Sequence, residues 1–184
     1  MLIIATGYRT YPEGKPMKKL LLKSVFVAGI GAFVAVGSVS VFAQAGADKA
    51  AIVKGRKDFM KEQQQAFNAI SAFAKGTGDR DAAIAGANKL LELSSKMDAK
   101  FIETNFPAGT SSTDLPGQTN AKPELWQHVD EAKAAGPKLH EAELKLAEMV
   151  KTGDPQTVGQ TATATYRNTC NALCHDQFRL PLQH

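Results

Sequence analysis

The sequence predicts an all-α protein, an antiparallel four-helix bundle, and three observations predict it. Apolar residues recur every three to four positions from about residue 48 to about residue 179, nothing alternates in the manner of a strand for more than a few residues, and stop and start signals cut the pattern into four segments of helix length. Four such segments, with short links at two joints and a long one in the middle, bury their stripes against one another as a bundle.

The first helix is expected from about Asp48 to Lys75, with Ile52, Phe59, Ala66 and Phe73 at heptad spacing and Met60, Phe67 and Ala74 beside them. Gly76-Thr77-Gly78 stops it. The second starts near Asp79 or Asp81 and runs to about Glu103, where Ala83, Ala87, Leu90, Ser94, Met97 and Phe101 step along one face. Thr104 to Lys122 holds two prolines, two glycines and a cluster of Ser and Thr, and reads as the one long irregular connection. Pro123 suits the first turn of helix three, whose stripe is Leu125, Val129, Ala132, Leu139, Leu146 and Val150, with Trp126 next to it. Asp154 as cap and Pro155 at the first helical position open helix four, which continues to about Arg179, with Pro181 just past its end.

Ahead of the bundle lies a leader. Met17-Lys18-Lys19 begins a basic stretch, no charged residue occurs from Ser24 to Ala45, and the run closes on Ala43-Gln44-Ala45. Basic start, apolar middle and small residues at alternate positions predict a cleavable signal peptide over residues 17–45, with residues 1–16 as upstream translation and a mature periplasmic chain of residues 46–184. An uncleaved membrane anchor is the competing reading of the same run. The leader contains Arg9, Lys15, Lys18, Lys19 and Lys23 against Glu13, so the 22 basic and 18 acidic residues of the whole chain become 17 and 17 in the mature part. The basic balance therefore belongs to the leader, and no nucleic-acid partner is expected.

The chemistry concentrates in Cys170-Asn171-Ala172-Leu173-Cys174-His175, which holds both cysteines of the chain. Two thiols able to add to haem vinyl groups, followed by an imidazole able to ligate iron, are the parts of a covalent haem c site near the C-terminus. The usual motif leaves two residues between its cysteines, and this one leaves three. Side chains at i,i+3 and i,i+4 share a helix face, so both thiols remain candidates, with Cys174 and His175 in the standard relation. A disulfide is geometrically awkward at i,i+4 on a helix. Zinc lacks ligands, because His128, His140 and His184 are scattered.

Four segments carry a family resemblance: Arg56-Lys57-Asp58-Phe59-Met60-Lys61, Ala74-Lys75-Gly76, Lys122-Pro123-Glu124-Leu125-Trp126 and Cys174-His175-Asp176-Gln177-Phe178-Arg179. With them residues 48–180 resemble the cytochrome c′ family, class II c-type cytochromes whose haem is attached near the C-terminus of a four-helix bundle. The resemblance implies His175 as proximal iron ligand, Cys170 and Cys174 as thioether links, Arg56 as partner of a haem propionate, and a homodimer. It implies for Met60, four residues after Arg56, a side chain facing the open side of the iron. Members with a non-ligating apolar residue there are five-coordinate and bind nitric oxide or carbon monoxide; the methionine makes this chain resemble the low-spin, methionine-ligated carriers. Arg179, one turn after His175, bears on the ligand's environment or on surface charge.

Three classes of function follow. A periplasmic electron carrier with a His175/Met60 axial pair, serving redox partner proteins, is the first expectation. A gas-binding haem protein of the same fold, with Met60 only lining the pocket, is the second. The third is a haem-free exported bundle with redox-active or bridged cysteines. No arrangement of Ser, His and Asp and no pair of buried carboxylates points to a hydrolytic enzyme.

Overall fold

The computed structural model describes residues 39–181, with side chains from residue 48 onward. These belong to one compact unit, Gly37–His184. The expected upstream residues 1–16 and the expected signal peptide as far as residue 38 lie outside the described residues, and the expected cut after Ala45 falls within the first helix. Among the described residues no helix is long and apolar enough to cross a membrane.

Helix α1 spans Val39–Ala74, α2 Arg80–Ser94, α3 Ala99–Asn105, α4 Val129–Thr152 and α5 Pro155–Thr165; a π-helical segment, Tyr166–His175, and the short α6, Asp176–Phe178, complete the chain. α1 stops as expected. Gly76 takes a left-handed φ of 73°, and the amides of Gly76 and Thr77 bond back to the carbonyls of Phe73 and Ala72 at 2.9 Å each, a Schellman closure that turns the chain into α2. Asp79 then caps α2, accepting from the Ala82 amide at 2.7 Å.

Four helices form the bundle, α1 packing on α2 and α5, and α4 on α2 and α5. Neighbours run antiparallel. Arg80 at the start of α2 donates to the Val150 carbonyl near the end of α4, whereas Ser94 at the end of α2 meets His140 earlier in α4. On the other side, Phe67 of α1 meets Tyr166 after α5, and Ala74 approaches Gly159 near the start of α5. Ile70, Leu90, Leu146, Val150 and Val158 are almost fully buried at the closed end. A second cluster, Ile102, Leu125, Ala132 and Phe178, closes the other end.

Two expected helices are interrupted. The second was expected to reach Glu103, but the chain breaks after Ser94 and restarts at Ala99, because Asp98 accepts from the Phe101 amide at 2.7 Å and so satisfies the start of a new helix. The break also fits α4 closely. A side chain on Gly136 would collide with the Met97 carbonyl, so glycine there admits the turn. Helix three was expected from Pro123, but Pro123–Gln127 is a 3₁₀ turn and α4 begins at Val129. Trp126 Nε1 bonds the carbonyls of Phe106 and Pro107 at 3.0 and 3.1 Å, which ties this turn to the long connection.

Helix four begins as expected, Asp154 accepting from the Thr157 amide at 3.0 Å with Pro155 at the first position. It does not stay α-helical. From Tyr166 the backbone widens, and the Asp176 amide reaches the Asn171 carbonyl, five residues back. The chain end is pinned to the long connection, with Lys122 N donating to Phe178 O and Leu180 N to Asn120 O, both at 2.8 Å.

Candidate functional site

A cavity of about 1630 Å³ lies among α1, α4 and the π-helical segment. It exceeds the roughly 300–1,000 Å³ of most small-molecule sites. Cys170, Cys174 and His175 reach its wall from the π segment, Arg56 and Met60 from α1, and Glu143 from α4. The five residues singled out in the sequence, separated by up to 119 positions, thus line one space. His128 is instead exposed against Glu131, and His140 bonds Ser94.

The chemistry of the π segment follows from burial. His175 is half-buried, and its Nδ1 is shielded from solvent with no hydrogen-bond partner. Burial first, then the positive charge of Arg179, drives its pKa down to about 4, against a smaller opposing effect of Asp176. At neutral pH it is an uncharged imidazole, the form that binds metals. Burial pushes the Cys170 thiol up to about 11 and raises Cys174 in the same direction. Both are unbridged and protonated, unlike the low-pKa thiolates of redox-active cysteines. No cluster of three or more His, Cys, Asp or Glu suited to hold a metal ion occurs among the described residues.

Arg56 is 6% exposed and held in place. Its Nη2 donates to the Thr110 carbonyl at 2.9 Å and to Thr119 Oγ1 at 3.3 Å, its Nη1 to Thr110 Oγ1 at 3.2 Å, and its guanidinium lies 4.7 Å from the centre of the Phe106 ring. Burial lowers its pKa, yet an arginine stays charged. Met60, one turn further along α1, is half-buried in the same wall.

Sequence reasoning missed Glu143. It is 2% exposed, its Oε2 has no partner, and burial drives its pKa up to about 7, the Ser94 hydroxyl offsetting part of the rise. The signal was present. Leu139, Glu143 and Leu146 follow helical spacing, so a carboxylate interrupts the apolar stripe of α4.

A family model described as Cytochrome C' matches residues 51–179, which covers the bundle from α1 to Arg179. The chain belongs to the cytochrome c′ family. It is 32% identical over 135 residues to a cytochrome c' of Cereibacter sphaeroides, covering 73% of this chain and 86% of that one. It is likewise 32% identical over 130 residues to the cytochrome c' of Pararhodospirillum photometricum, covering 70% of this chain and 96% of that one. Among solved structures, cytochrome c' from "Rhodobacter Spheriodes" superposes with a TM-score of 0.63 at 29% identity, covering 73% of this chain and 98% of that one. Cytochromes c′ carry one covalently bound haem c, which makes haem c the cofactor of this chain. The residues here fit that group: an uncharged imidazole with an unpartnered buried nitrogen, adjoining protonated thiols and a wide, largely apolar cavity. The family assignment does not extend to the methionine-ligated, low-spin subtype expected from Met60.

Proposed function

We propose that this chain is an exported cytochrome c′ in which His175 ligates the iron, Cys174 beside it forms a thioether, Arg56 partners a propionate, and nitric oxide or carbon monoxide takes the face lined by Met60. The supporting observation is the buried, unpartnered nitrogen of His175 in a wall shared with Cys174. An imidazole kept neutral by burial loses nothing on deprotonation before it ligates. Arg56 has five donor hydrogens and spends three contacts on Thr110 and Thr119, which leaves donors for an anionic group. When bound, the haem supplies an iron able to take a diatomic ligand. Apolar residues such as Val53, Leu90, Leu139 and Phe178 line the same cavity, and the thioether of Met60 fills space in it as a flexible apolar side chain. Cytochromes c′ are typically high-spin and five-coordinate, which favours this reading over the carrier.

The His175/Met60 electron carrier is the second reading, favoured by the presence of the methionine in the same cavity wall. Optical spectra of the purified exported protein, oxidised and reduced, with and without carbon monoxide, separate the two. A high-spin spectrum with ready carbon monoxide binding supports the proposal. A low-spin spectrum that resists carbon monoxide replaces it with the carrier, and a colourless protein overturns both.

A further inference from the structure

We infer that the π-helical register of Tyr166–His175 brings both Cys170 and Cys174 to one haem edge, so that haem attaches through two thioethers although three residues separate the cysteines. This rests on the haem reading above and concerns Cys170, the residue that reading leaves unassigned.

The argument is one of helical register. In an α-helix of 3.6 residues per turn and 1.5 Å rise, residues three apart lie about 4.5 Å along the axis and about 60° short of a full turn. Residues four apart in the same helix lie about 6 Å along it and about 40° beyond the full turn, which sends the second side chain off in the other direction. A π-helix bonds i to i+5, with about 4.4 residues per turn and a rise of about 1.15 Å. Four residues then span about 4.6 Å and stop about 30° short of a turn. The wider helix thus returns a four-residue step to nearly the rise, and to the same rotational sense, that a three-residue step has in an α-helix. One extra residue is absorbed by one wider turn.

The details of this segment agree. Both cysteines are half-buried and both reach the cavity wall, where neither is bridged. The π-helical range Tyr166–His175 contains both cysteines, and at its end the Asp176 amide bonds the Asn171 carbonyl, a five-residue step that encloses Cys174 and His175. Gln177 Nε2 takes up the Ala172 carbonyl at 2.9 Å, so the altered bonding of the window has a side-chain partner. Beyond it the Arg179 amide returns to the His175 carbonyl four residues back, at 3.1 Å. The wide register is therefore confined to the segment that carries the cysteines and the histidine, in keeping with the occurrence of π-helical turns at functional sites.

Each attachment is a redox-neutral addition. The Sγ–H bond of a cysteine and the π bond of a vinyl group break, an Sγ–C bond forms at the vinyl carbon next to the ring, and the proton goes to the terminal carbon. No oxidant is consumed. The test uses the holoprotein: its pyridine haemochrome band reports how many vinyl groups survive, and alkylation with iodoacetamide after denaturation, followed by the mass of the tryptic peptide Asn168–Arg179, reports free thiols. Two thioethers predict no surviving vinyl, no alkylated cysteine and a peptide mass raised by one haem. Cys170→Ala is then expected to shift the band to longer wavelength, as one vinyl returns. One alkylated cysteine at Cys170 in the unmutated protein, with haem still attached, overturns this inference and leaves the haem reading intact. Haem lost on acid–organic extraction overturns that reading as well. If Cys170→Ala fails to accumulate, alkylation of the unmutated protein still decides.

Discussion

Arg56 on the first bundle helix is bonded to both the carbonyl and the hydroxyl of Thr110 in the long connection, at 2.9 and 3.2 Å across 54 positions of chain. The guanidinium thus ties one wall of the cavity to the loop that closes it. Arg56→Ala removes charged hydrogen bonds and leaves the Thr110 carbonyl buried without a partner, so a loss of about 2–4 kcal/mol is expected in urea denaturation. Lysine restores little of this, because it lacks the planar fork that reaches two acceptors. A change below about 0.5 kcal/mol for Arg56→Ala would show that the tie contributes nothing.

Glu143 makes stability depend on pH. Its folded pKa of about 7 stands above the ordinary value of 4.5, so between these limits the folded state binds more protons than the unfolded. The contribution is whole below about pH 4.5 and is lost as pH rises through about 7, a difference on the order of 3 kcal/mol. Glu143→Gln keeps the shape without the charge. Its stability relative to the parent is expected to improve steadily from pH 4.5 to 8, and parallel profiles for the two proteins would refute the assignment.

Met60→Leu tests what lies on the second face of the iron. Packing is expected to change by less than about 1.5 kcal/mol, since the volumes are similar. On the five-coordinate reading, spin state and carbon monoxide affinity stay near those of the parent. A parent that is low-spin and a variant that turns high-spin and binds carbon monoxide would establish the sulfur as a ligand.

Gly136→Ala probes the fit of α4 against the turn between α2 and α3. The added carbon has no room beside the Met97 carbonyl, which is backbone and cannot rotate away. A loss of about 1–3 kcal/mol is expected by thermal denaturation despite alanine's better helix propensity. A gain in stability would mean that the helices separate without cost.

Processing of the leader is read by mass. The exported chain is expected to begin at Gly46, since Ala43 and Ala45 hold the small-residue positions ahead of the cut. A chain that retains residues 17–45 and partitions with membranes would favour the anchor.

Local signals carried much of this protein into view from sequence. Asp79, Asp154, Pro155 and the Gly76 stop act within one turn of themselves, through caps and a left-handed residue, so the boundaries they set appear where spacing puts them. The apolar stripes of α2 and α4 likewise named much of the core, because helical periodicity decides which residues share a face, whereas in α1 the heptad of Ile52, Phe59, Ala66 and Phe73 passed over the buried Val53 and Ile70. The Cys170 to His175 window announced its chemistry by composition. Other features waited on the tertiary structure. The break at Ser95–Asp98 joins a local cap to a contact with Gly136, 39 positions away from Met97, and helical spacing runs straight through it. Which donors Arg56 spends, and on what, depends on where a loop rich in Ser and Thr comes to rest. Glu143 became a buried acid with one unpartnered oxygen only when α4 turned it toward the cavity. The π register of the last helix is the sharpest case. The residue types of so short a segment do not distinguish an α-helix from a π-helix, and the choice between them rests on backbone bonds, on Gln177 and on packing against α4, none of which spacing reveals.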